Sequence, residues 1–133
     1  MSKNCCNAAS PRMILACSGG SNVGQLTNQA AVELTREGLG ALFCLVGLGG
    51  GIPGITQAVR DAALGTGGVL VLDGCAVGCA RAIMDRAGIP VGDHLVVTDL
   101  GIEKVKNRQL ALRPEDVERI KRAARGQRGQ AQV

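Results

Sequence analysis

Four short apolar runs divide the chain, and each is followed by a stretch whose apolar residues recur every three or four positions. Met13-Ile14-Leu15-Ala16 is the first run, and it stops at Cys17-Ser18-Gly19-Gly20-Ser21. Val23, Leu26, Ala30 and Leu34 then recur at helical spacing, which predicts a helix from about Asn22 to Glu37 with Gly38 as its stop. Ala41 to Val46 reads as a second strand, followed by the glycine cluster from Gly47 to Gly51 and a helix near Ile55 to Leu64. Val69-Leu70-Val71-Leu72 is the third strand, Asp73-Gly74-Cys75 its exit, and Ala76 to Ala87 a third helix closed by Gly88 and Pro90. His94 to Thr98 reads as a fourth strand. Pro114-Glu115-Asp116 opens a last amphipathic helix through Val117 and Ile120.

Uniformly apolar strands alternating with helices predict parallel strands buried on both faces. The expected fold is a small three-layer α/β domain, a doubly wound sheet of about four parallel strands in the Rossmann or flavodoxin manner. The expected strand order is 2-1-3-4. Residues 1–11, poor in apolar side chains, are expected to form a mobile arm. Residues 12–125 form the single domain and residues 126–133 a disordered tail.

Composition narrows the function. Of 133 residues, Phe43 is the only aromatic, so bases have almost nothing to stack on and single-strand nucleic-acid modules are disfavoured. No apolar stretch is long enough to span a membrane, and the first ten residues carry no apolar signal core. A soluble, cytoplasmic protein is expected. The net charge of +4 is concentrated late in the chain. Residues 1–100 carry six basic and seven acidic side chains, while residues 101–133 carry nine and four. A solvated helix face accounts for that excess.

Six cysteines in such a chain point to metal ligation, redox thiols or small buried residues rather than a disulfide scaffold. Cys17, Cys44 and Cys75 are 27 and 31 positions apart, close to the strand-to-strand period. Each therefore falls at or near the carboxyl end of its own strand, the edge where open α/β sheets bind ligands. Cys79, four residues after Cys75 and one helical turn on, adds a sulfur on the same face. Four convergent thiolates suit tetrahedral Zn²⁺. Glycine flanks with little bulk would leave such a site accessible and its metal exchangeable. A redox or sulfur-transfer pair at Cys75 and Cys79, and plainly structural cysteines, also fit the spacing.

The run Asp73-Gly74-Cys75-Ala76-Val77-Gly78-Cys79 resembles the D-G-C-x-x-x-C signature of the DGC-domain family. The resemblance extends to Cys17-Ser18-Gly19, to Cys44 and to the segment Asp99 to Lys104, and covers residues 13 to about 125. For that family four zinc-chelating cysteines are proposed, which implies Cys17, Cys44, Cys75 and Cys79 as metal ligands here. The adjacent pair Cys5-Cys6 lies outside the pattern.

Other chemistries fit less well. Cys17 heads a glycine-rich turn entering a helix, as in phosphocysteine carriers and low-molecular-weight phosphatases. A phosphatase needs an Arg where Val23 stands, and a carrier leaves Cys75 and Cys79 unused. The cluster from Gly47 to Ile52 lacks the G-x-G-x-x-G spacing of a dinucleotide site. His94 is expected as a surface residue at the amino end of its strand, away from the cysteines. Asp73 is expected as a helix cap. Lys104 could offset thiolate charge if its loop reaches the site. A zinc-binding protein acting in storage, sensing, delivery or a larger redox system is the leading expectation. A thiol enzyme using Cys75 and Cys79 is the alternative, and a protein partner is left undefined.

Overall fold

A computed structural model of the chain describes residues 12–105 and 110–131. The expected arm, with Cys5 and Cys6, lies outside the described residues. Four parallel strands form one sheet in the order β2-β1-β3-β4, as the pattern predicted. They are β1 (Arg12–Ala16), β2 (Gly40–Leu42), β3 (Val69–Asp73) and β4 (Asp93–Val96). The helices are α1 (Asn22–Arg36), α2 (Leu45–Gly49), α3 (Pro53–Leu64), α4 (Cys79–Ala87) and α5 (Pro114–Ala131). A 3₁₀ turn covers Val97–Leu100.

Alternation along β1 and β3 produces the three layers. Leu15, Val69 and Val71 pack with Leu48, Val59 and Met84, on the face covered by α2, α3 and α4. Ile14, Leu70 and Leu72 face Ala31, Leu34 and Ala124, on the face covered by α1 and α5. Central strands buried on both faces exclude polar side chains from their middles, so the runs are apolar and the charged residues Arg12 and Asp73 stand at the ends of β1 and β3. The tight stop after α1 has a specific cause. Gly38 sits at φ +86, its N–H bonds to the Thr35 carbonyl, and Leu39 N–H reaches Leu34.

Four elements differ from expectation, the first being β4, which ends at Val96 and gives way to the 3₁₀ turn instead of running to Thr98. β2 ends at Leu42, and Leu45–Gly49 form a short helix in place of further strand. A short apolar run alone does not separate the two conformations. Packing does: a Cβ on Gly47 would stand 2.2 Å from Ile55 Cδ1, so its absence lets α2 lie on α3. α4 begins at Cys79 rather than Ala76, because Gly78 adopts φ 69 and closes a turn onto the Cys75 carbonyl. α5 continues to Ala131, past the point where the domain was expected to end.

The late basic residues partly explain how α5 is anchored. Lys121, 7% exposed, reaches Glu33 Oε1 at 2.9 Å and Glu37 Oε2 at 2.6 Å on α1, with Glu118 at 3.5 Å. Hydrogen bonds from Gln29 and Lys121 hold the Glu33 carboxyl below its ordinary range. Lys121 and Arg125 do the same for Glu37, and Arg125 chiefly for Glu118. Hydrogen bonds to Glu37 and Glu33 push the Lys121 ammonium upward. Lowered carboxyls stabilise the fold above their ordinary range and lose that contribution as pH falls through the lowered values. A raised ammonium stabilises below its ordinary value, and that contribution is lost as pH rises through the raised one. Melting temperature should therefore decline as pH drops below about 5. In Lys121→Met this acid-side decline should be shallower, as differential scanning fluorimetry across pH 3–7 would record.

Candidate functional site

The carboxyl ends of β1 and β3 open into a cleft of about 360 Å³ lined by Cys17, Cys75, Cys79, Asp73 and Lys104, with glycines along its walls. Three of the four predicted cysteines thus share one cleft. Cys44 does not line it. It occupies the N-cap position of α2 without a side-chain cap bond, and it is exposed. Among the described residues no three His, Cys, Asp or Glu stand close enough to hold one metal ion.

Each cleft thiol is placed by a different contact. Cys17 follows β1, and its Sγ lies 3.7 Å from Thr27 Oγ1. Thr27 is fully buried; its hydroxyl donates to the Gly24 carbonyl at 2.6 Å and accepts Ser18 N–H at 3.1 Å. With its own proton committed, Thr27 leaves the thiol as donor in the Cys17 contact. The same bonds pin the loop in which Ser18 holds φ 50. Cys75 leaves β3 through Gly74, and Lys104 Nζ donates to its Sγ at 3.4 Å. Cys79 opens α4 and is exposed. The two sulfurs of the D-G-C-x-x-x-C run therefore flank a turn rather than stack along a helix, because Gly78 delays the helix start.

Asp73 is the expected cap, with an added role. It is 1% exposed and accepts Ala80 N–H at 2.7 Å and Arg81 N–H at 3.1 Å, two donors that the start of α4 would otherwise leave bare. Its Oδ2 also stands 2.8 Å from His94 Nε2. His94 is therefore not a solitary surface histidine. The adjacent parallel register of β3 and β4 brings its ring to the buried carboxylate. Ser21 caps α1 by accepting Gly24 N–H at 3.1 Å. Asn22, read from the sequence only as the start of the helix, has a second role. Its amide donates to the Glu103 carbonyl at 2.9 Å and accepts Val105 N–H at 2.8 Å, which holds the segment carrying Lys104.

Two glycines let these parts meet. A Cβ on Gly74 would stand 2.8 Å from Gly24 N, and one on Gly24 would stand 2.5 Å from Gly19 O. The first three residues of D-G-C thus have separate physical reasons: a buried cap, a close backbone approach and a thiol at the cleft.

The sequence profile of the DGC domain matches residues 13–124. The chain belongs to the DGC-domain family. Over 92 residues, 69% of this chain and 67% of the relative, this DGC domain is 34% identical to the anaerobic and virulence modulator AnvM of Pseudomonas aeruginosa. No solved structure matches it. Among the described residues of this DGC domain, no helix is long and apolar enough to cross a membrane.

Proposed function

We propose that this DGC domain is a thiol-based responsive protein in which two cleft cysteines exchange with a disulfide and close a reversible intramolecular bond. One observation carries the reading. Cys75 shares a cleft with Cys17 and Cys79, and among the described residues it alone of these bears a lysine ammonium on its sulfur. Cys75 as thiolate attacks one sulfur of the oxidant, that S–S bond breaks, and one thiol leaves with a proton. A second cleft thiol then attacks the Cys75 sulfur of the mixed disulfide and expels the second thiol. Two cysteine thiols have given up two electrons and two protons, and the oxidant has gained them. The name of the Pseudomonas relative, anaerobic and virulence modulator, supports a role in which thiol state carries a signal. The cytoplasm, where thiols stay reduced until challenged, is the compartment this reading requires.

The test treats the reduced full chain with hydroxyethyl disulfide, a neutral oxidant, and maps the products by non-reducing peptide mass spectrometry. A bond joining two of Cys17, Cys75 and Cys79 is expected. Cys75→Ser should slow formation of the first mixed disulfide roughly tenfold, while Cys44→Ser leaves the intramolecular bond intact. A bond through Cys44, or mixed disulfides that never resolve, would sink the reading.

Binding of a thiophilic cation, Zn²⁺ first, is a second reading of the same cleft. It is favoured by three thiol donors arriving from separate segments, beside an ammonium able to offset thiolate charge. Structural zinc takes four ligands, with sulfur at about 2.3 Å. The side chains as placed do not supply that set, since Cys44 lies outside the cleft and no three candidate ligands converge among the described residues. Elemental analysis of protein purified without added metal separates the readings. About one zinc per chain, lost in Cys79→Ser, supports the second; metal-free protein with fully titratable thiols eliminates it.

A further inference from the structure

We infer that the cleft selects an anionic thiol-reactive partner, such as a disulfide carrying carboxylates, with Lys104 as the specificity-determining residue and Asn22 as the residue that positions it. The inference rests on the thiol reading above and names the class of its substrate. Lys104 lies outside any helix or strand, in a segment whose backbone would wander unless held. It is held on both sides. Asn22, 8% exposed, takes the Glu103 carbonyl with its amide nitrogen and Val105 N–H with its amide oxygen, so Lys104 is bracketed. Buried Ile102 anchors the approach to it. The ammonium is thereby delivered to Cys75 Sγ.

Among the described residues nothing else lining the cleft cancels that charge. Asp73 is the one carboxylate among the lining residues, and it is buried and engaged by Ala80, Arg81 and His94. Among the described residues no carboxylate is ion-paired with Lys104; its hydrogen bond is to the Cys75 sulfur. A cation in a recessed site where the one acid among the described lining residues is occupied raises the local concentration of anions and orients them. An electrophile bearing negative charge close to its reactive sulfur would place that charge on Lys104 and its sulfur against Cys75. A neutral electrophile gains nothing from the lysine.

The experiment compares iodoacetate with iodoacetamide on the reduced full chain at low ionic strength, with each cysteine quantified by mass spectrometry. The two reagents share one reaction and differ in charge. Exposed Cys44, outside the cleft, is the internal reference. At Cys75 the iodoacetate-to-iodoacetamide rate ratio should exceed that at Cys44 by roughly threefold or more, and should shrink with added salt. Lys104→Met should bring the two ratios together, and Lys104→Arg should preserve the difference. Asn22→Ala should lower the Cys75 ratio towards that of Lys104→Met. An unchanged ratio in Lys104→Met, or a wild-type ratio at Cys75 no higher than at Cys44, overturns the inference. A wild-type ratio in Asn22→Ala removes the positioning role of Asn22. Should Asn22→Ala fold poorly by its melting temperature, the two Lys104 variants still decide the substrate class. Oxidation by neutral hydroxyethyl disulfide does not depend on charge selection, so failure here leaves the thiol reading standing and failure there does not mimic it.

Discussion

Asp73→Ala is expected to lower folding stability by about 3 kcal/mol, one of the two largest effects of a single substitution at this site. The carboxylate accepts two backbone N–H groups from the first turn of α4 and the ring nitrogen of His94 while almost completely buried. Each neutral-partner bond to a charged acceptor contributes about 1.5–3 kcal/mol, offset by the cost of burying the carboxylate itself, and donors left bare cost about 1–3 kcal/mol each. Water entering the vacated space would recover part of the loss. Asp73→Asn keeps one acceptor oxygen but turns an NH₂ towards a donor, so it should lie between wild type and Ala. His94→Ala removes one of the three bonds and leaves both α4 donors satisfied, so its cost should be about 1.5 kcal/mol, the low end of that range. Chemical denaturation of the three variants checks the order Ala, Asn, His94→Ala from most to least destabilised. A larger effect at His94 than at Asp73 would show that the histidine contact, rather than the cap, carries the interaction.

Gly74→Ala is expected to be of similar severity for a different reason. The new methyl would stand 2.8 Å from Gly24 N and 2.9 Å from Val23 C, and both atoms belong to the first turn of α1. A side chain could rotate away; a helix backbone packed on a central strand cannot. Overpacking of this kind costs typically 1–3 kcal/mol and is relieved by displacing the helix end. Displacing α1 would also shift Asn22, and with it the segment that presents Lys104. The variant should therefore melt lower and also lose the charge selectivity of Cys75. Gly20→Ala is the matched control, since a Cβ there meets nothing within 4 Å, and it should lie within about 0.5 kcal/mol of wild type. Equal stability of the Gly74 and Gly20 variants would mean that the α1 terminus yields more easily than its packing indicates.

The apolar pattern alone determined the strand order, because wholly apolar runs joined by helices admit few arrangements other than a doubly wound parallel sheet. It also placed Cys17 and Cys75 at one sheet edge, since position within a repeating strand–helix unit fixes which end of the sheet a residue occupies. The capping role of Asp73 was legible for a similar reason: a helix start needs an acceptor, and a carboxylate stood just before one. The remainder of the site is made by partners far apart in the chain. Cys44 falls beyond the cleft because α2 replaces the end of β2, which Gly47 packing against Ile55 permits. His94 reaches Asp73 across 21 positions, Lys104 reaches Cys75 across 29, and Asn22 reaches Glu103 across 81. Periodicity reports which face a residue takes within its own element. Which polar groups meet across elements depends on strand register and on backbone approach to tenths of an ångström, and only the assembled tertiary structure decides those.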